Sequence, residues 1–207
     1  TRERVKGIGR LRQRVTDLQT ANEAFIARVI PRTQMLSMLR RLADEAAAHK
    51  VRFLEIAPPG LDRVYFVSGG SEAVEACLKF ARTYFIERDG PATTKHKVIA
   101  RWHGFHGNTL GALSATGHMP RRRKYDPLLV DFPHIPACYC YRCHYGLTYP
   151  ACGVACAKAL EDMIASQGAE NVAAFIAEPL VGAAAGAVPP VDEYWPMIRA
   201  ICTKHDI

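Results

Sequence analysis

The chain has 207 residues, 49% hydrophobic and 23% charged, which fits a globular protein with a sizeable core and argues against disorder. Its formal charge of +7 is concentrated in two clusters, Arg2 to Arg14 and Arg121, Arg122, Arg123 and Lys124. Neither is interleaved with aromatics, so nucleic acid is not indicated as a partner.

From Ile8 the apolar residues Leu11, Val15, Leu18, Phe25 and Val29 alternate in threes and fours, with Asn22 in the same seam. The spacing predicts a long amphipathic helix that ends at Pro31 and either packs on the domain or forms a short coiled coil. Met35, Leu39, Leu42 and Ala46 predict a second helix, and Pro58-Pro59-Gly60 breaks the chain, so a helical region over residues 1–56 precedes a larger domain over 57–207. Arg63-Val64-Tyr65-Phe66-Val67 reads as a short strand, Ser68-Gly69-Gly70 as a turn, and Ser71 to about Glu87 as a helix. Lys97 to Ala100 and Val172 to Ala177 read as strands. Helical segments are expected near Gly107 to Ser114, Val154 to Ala165 and Asp192 to His205. Between them, Met119 to Cys152 is rich in Pro, Tyr, Cys and Arg and reads as a long irregular excursion. Strands alternating with helices imply an α/β fold: three layers, with a mostly parallel sheet flanked by helices.

No run approaches the ~18 apolar residues of a membrane span, and the first residues are polar rather than a signal peptide, so no membrane association is expected. Seven cysteines in a chain of this length fit a reducing compartment, with the cytoplasm the simplest location.

Three motifs carry chemistry. In Val67-Ser68-Gly69-Gly70-Ser71-Glu72-Ala73, two glycines let backbone approach a ligand, and the next helix offers N–H groups at its positive end. An anion such as phosphate would sit there, with Ser71 serving as helix N-cap, as hydroxyl donor, or as both. Arg101-Trp102-His103-Gly104-Phe105-His106-Gly107-Asn108-Thr109 follows a strand and could stack a flat ligand. His103 and His106 could also serve a metal or simply a turn. In Ile176-Ala177-Glu178-Pro179, a carboxylate ends an apolar strand, and in a parallel sheet the C-terminal strand ends are where ligands bind.

In this order and spacing, the three motifs resemble the class III (omega) aminotransferases of the fold-type I pyridoxal-phosphate superfamily. The resemblance runs from about Ala57 to Ile207, where Pro58 to Phe66 looks like the family's lead-in to its phosphate-binding turn, with additional similarity in the Met35 to Ala48 helix. It implies a partial large domain whose cofactor is pyridoxal 5'-phosphate. Gly70 and Ser71 would hold the phosphate. Trp102 would stack on the ring where the family more often has Tyr, with His103 beside it and Glu178 near ring and substrate. The partners implied are an amino donor, a keto acid acceptor and a second copy of the chain, with part of the phosphate contact crossing the dimer interface. The Lys that attaches the cofactor and the acid opposite the ring nitrogen match no position here, so no catalytic residue is assigned and the chain is expected to be a fragment, incomplete at both ends and inactive alone. A mutase or racemase on the same scaffold is the alternative within the enzyme class.

Cys140 and Cys143, followed by Cys152 and Cys156, form two close pairs that could hold structural zinc or remain free thiols, with free thiols preferred and no metal expected. The corresponding alternative is a non-catalytic, zinc-stabilised subunit.

Overall fold

The computed structural model describes Asp44, Gly60 and residues 63–207. The helices expected before residue 56 and the boundary at residues 56 and 57 lie outside the described residues, except that Asp44 is helical and exposed. The chain divides into residues 1–68 and 69–207, and the second unit carries the sheet.

Strand β1 (Lys97–Arg101) lies between β2 (His134–Ile135) and β3 (Val172–Phe175), all parallel. Ala100 and Arg101 pair with His134 and Ile135, while Lys97, Val98 and Ile99 pair with Val172, Ala174 and Phe175 across an irregularity after Lys97. Parallel pairing requires crossovers, and helices supply them. The unit contains α1 (Gly70–Asp89), α2 (Leu110–Ala115), α3 (Met119–Arg122), α4 (Ala155–Gln167) and α5 (Tyr194–Lys204).

Val98, Ile99 and Ala100 are each no more than 2% exposed, so both faces of β1 are covered and its apolar run has no polar alternation. On one side Ile99, Ile135 and Val172 meet Leu160 and Ile164 of α4 and Tyr194, Ile198 and Cys202 of α5. Each such aliphatic side chain contributes about 1.5–3 kcal/mol by burial. In addition, α1 packs on β3 and α2 on β1.

Three sequence readings need correction. Arg63 to Val67 forms no strand, and Tyr65 and Phe66 are 67% and 46% exposed. A β-prone run becomes a strand only where another strand pairs with it, and none of the described strands pairs with this one. The helix expected from Gly107 begins at Leu110, because Gly107 has φ 142, outside the helical region. The irregular excursion also contributes β2, whose two residues are too short to show a period. No described helix is long and apolar enough to cross a membrane.

Candidate active site

All three motifs converge on the turn that leaves the C-terminal end of β1. Helix α1 begins after Gly69, which is its N-cap and makes no side-chain capping bond. Ser71 therefore lies inside the first helical turn rather than at the cap, which corrects the capping role expected for it. Its Oγ instead accepts a hydrogen bond from the Asn108 N–H at 3.0 Å, tying the first motif to the second. One turn further along α1, Glu75 Oε1 accepts from the N–H groups of Gly111 and Ala112 at 2.9 and 3.2 Å, satisfying donors at the start of α2. Gly107 has no room for a side chain, since a Cβ there would lie 2.6 Å from Ser71 Oγ and 2.9 Å from Ala112 Cβ.

Trp102 continues β1 by one bridge to Gly117, and its N–H donates to the Ile135 carbonyl at 2.9 Å. Its indole stacks on His134 with centroids 4.4 Å apart and planes 24° apart. His134 is itself fixed, with Nδ1 2.7 Å from the Phe132 carbonyl and Nε2 3.3 Å from that of Ala115, and burial pushes its pKa down. His103 has φ 65 and is exposed, its ring edge-on to Tyr139. Partial desolvation of the ring lowers its pKa, with His118 adding to the effect.

Glu178 lies three residues beyond the end of β3. Its two carboxylate oxygens accept from Phe105 N–H at 2.7 Å and Gly182 N–H at 2.8 Å, and its carbonyl accepts from Arg101. The glutamate thus clamps the second motif to the third. Beside it, His106 Nε2 is buried with no hydrogen-bond partner among the described residues, and burial lowers the pKa of that ring. A Cβ on Gly104 would stand 3.2 Å from this nitrogen and 3.9 Å from Glu178 Oε1, so the glycine leaves a small polar hollow there.

Sequence reasoning singled out Gly70, Ser71, Trp102, His103 and Glu178, and the structure links the two flanking motifs to the 102–109 turn. It missed Glu75 and His134. Glu75 stands four residues after Ser71, on the same helix face, and that spacing was a usable signal. An isolated histidine in an irregular segment gave none.

Among the described residues, no group of three or more His, Cys, Asp or Glu is placed to hold a metal ion. Cys140, Cys143, Cys152 and Cys156 line one recess but differ in exposure, and Cys156 packs towards the core that contains Cys138. All seven cysteines are free thiols.

A family model described as aminotransferase class-III matches residues 20–207. The putrescine–pyruvate aminotransferase of Pseudomonas aeruginosa is 40% identical over 153 residues, which are 74% of this chain and 33% of that protein. The adenosylmethionine-8-amino-7-oxononanoate aminotransferase of Geobacter sulfurreducens is 37% identical over 187 residues, 90% of this chain and 40% of that protein. Among solved structures, an (S)-enantioselective omega-transaminase from Thermomicrobium roseum superposes with a TM-score of 0.70 at 39% identity, covering 76% of this chain and 35% of that one. A PLP-bound aminotransferase mutant from Vibrio fluvialis gives a TM-score of 0.71 at 30% identity, covering 79% and 36%. The chain spans between a third and two fifths of the length of these curated relatives.

Proposed function

Because this chain belongs to the class III aminotransferase family, we propose that it is the cofactor-holding part of a transaminase that uses pyridoxal 5'-phosphate. The reaction moves an amino group from a primary amine or amino acid to a keto acid. The observation that carries this reading is the convergence of the phosphate-type turn, the aromatic turn and the strand-end carboxylate through the Ser71 to Asn108 and Phe105 to Glu178 hydrogen bonds.

The residues present suit such a group. Ser71 and Gly70 stand in the first turn of a 20-residue helix, where N–H groups lack partners within the helix and the dipole favours a phosphate. Trp102 offers an aromatic surface of the right shape for a flat ring, and the stack on His134 holds its plane. His103 borders the same turn, and His106 Nε2 near Glu178 supplies a polar group for which no described residue provides a hydrogen bond. When bound, the cofactor supplies an electron sink for chemistry at the carbon that bears the nitrogen. The chain's own residues bind its phosphate, orient its ring and fix the position of Glu178.

No lysine here is assigned the covalent attachment. Lys95 Nζ is held by the carbonyls of Val172 and Asp206, Lys97 by Gln167 and Lys204 by Glu161. A homodimer and a cytoplasmic location complete the reading, supported by the family and by the free state of all seven thiols. The test uses the full-length protein that contains this chain. Added pyridoxal 5'-phosphate should give a visible absorption band and amine-dependent conversion of a keto acid, and Ser71→Ala and Trp102→Ala should each weaken cofactor affinity about tenfold or more. A protein that takes up no cofactor, or variants that bind it as well as the parent, would overturn the proposal.

A further inference from the structure

Cys140 and Cys143 bracket a single 3-10 turn, which runs Cys140–Arg142 with Cys143 as its C-cap, and the Arg142 N–H donates to the Tyr139 carbonyl at 3.1 Å. A 3-10 helix has three residues per turn and rises about 2.0 Å per residue, so residues three apart share a face with Cα atoms roughly 6 Å apart. That separation falls within the range of about 4.4–6.8 Å that a disulfide spans. Both residues are free thiols and line the same recess, beside Tyr139, Tyr145 and Tyr149.

The turn is also open to solvent, since Cys140 is exposed, Cys143 is half-buried and Tyr141 between them is 84% exposed. A small oxidant therefore reaches this pair without any opening of the fold. The other two thiols of the recess are held differently. Cys156 stands in the first turn of α4 and packs against the buried core. From Cys152 to Cys156 the chain passes through Gly153 and Val154, whose φ values are 54 and 53, so this second pair shares no helical register.

We propose that Cys140 and Cys143 are a redox-active dithiol that hydrogen peroxide converts to a disulfide. The thiolate of one cysteine attacks a peroxide oxygen, the O–O bond breaks, and the departing hydroxide takes up the proton that the thiol had released. The sulfur of the other cysteine attacks the resulting sulfenic acid, and its S–H proton departs with the hydroxyl as water. Two thiols and one peroxide become one disulfide and two waters, a two-electron oxidation. The exposed bond so formed stays open to reduction by a dithiol. The pair does not depend on the proposed transaminase activity.

The test treats the reduced full-length protein with hydrogen peroxide at mildly alkaline pH, since partial desolvation raises the Cys140 pKa, and maps its tryptic peptides without reduction. Trypsin cuts after Arg142 and so places the two cysteines on different peptides, residues 125–142 and 143–158, between which a link reversed by dithiothreitol is expected. Fragmentation should assign that link to Cys140 and Cys143, and Cys143→Ser should abolish it while Cys152→Ser leaves it in place. In Cys143→Ser, where the resolving thiol is gone, Cys140 should take up dimedone at least about tenfold more than in the parent. Should either variant fail to fold, the map of the parent protein decides. A pair that stays reduced while the exposed Cys77 oxidises, a link from Cys140 or Cys143 to some other cysteine instead, or bound zinc that blocks the reaction until it is chelated would overturn the proposal.

Discussion

Gly107→Ala tests whether the spacing between α1 and the aromatic turn sets cofactor affinity. The residue has φ 142, a conformation essentially reserved for glycine, so alanine adds about 1–3 kcal/mol of backbone strain. Its methyl would also stand 2.6 Å from Ser71 Oγ and 2.9 Å from Ala112 Cβ, a crowding that costs about 1–3 kcal/mol more. The turn relieves both by moving away from α1, breaking the Ser71 to Asn108 hydrogen bond. Restoring the binding geometry then costs roughly 3 kcal/mol, about a hundredfold in Kd. Gly146→Ala is the control, since its φ is also positive, at 63, but nothing stands within 4 Å of the added methyl. It should lose about 1 kcal/mol of stability and leave affinity unchanged. Titration of the full-length protein with pyridoxal 5'-phosphate, followed by visible absorption, measures both. If Gly107→Ala binds within threefold of the parent, or no worse than Gly146→Ala, the argument from spacing fails.

Glu178→Gln keeps the shape but replaces one acceptor by a donor facing a backbone N–H, so a loss of about 2–3 kcal/mol is expected in thermal or urea unfolding. An unchanged midpoint would show that the clamp is not structural. His106 and His134 are held neutral by burial, with pKa values below the ordinary 6.5. The unfolded chain binds more protons below that pH, so stability is fully present above about pH 7 and falls as acid approaches their folded pKa values. Melting temperatures read across this range should drop towards pH 5, and His134→Leu should flatten the slope; a rise in stability on acidification would refute the assignment. Tyr194→Phe removes a buried hydroxyl that makes no well-formed hydrogen bond among the described residues, although Arg101 lies near it, and whose own pKa burial pushes up to about 12. Its melting temperature should be unchanged or higher, and a loss equivalent to 2 kcal/mol or more would reveal an unrecognised partner.

The three glycine and carboxylate motifs were legible because each encodes a local geometry: a tight strand-to-helix turn, an aromatic turn after a strand, a carboxylate after an apolar run. β1 and α4 were legible through their length and period. Arg63 to Val67 was misread because strand propensity does not reveal whether another strand will pair with the run. The exchange of Ser71 from cap to cross-link was invisible for a related reason, since its partner Asn108 comes from another element.

The order of the strands also bears on how the protein acquires its shape. β1 must wait for two partners, one inside the long irregular excursion and the other after α4, before its ladder closes on both sides. Contacts so distant along the chain close slowly, whereas helices such as α1 and α4 need only local ones. Amides in these helices would gain protection from exchange early, and those of Ala100 and Trp102, which donate to the carbonyls of Pro133 and Ile135, would gain it late. The turn that gathers the three motifs hangs from that last-formed strand end, so in this unit the binding geometry is among the final things folding delivers.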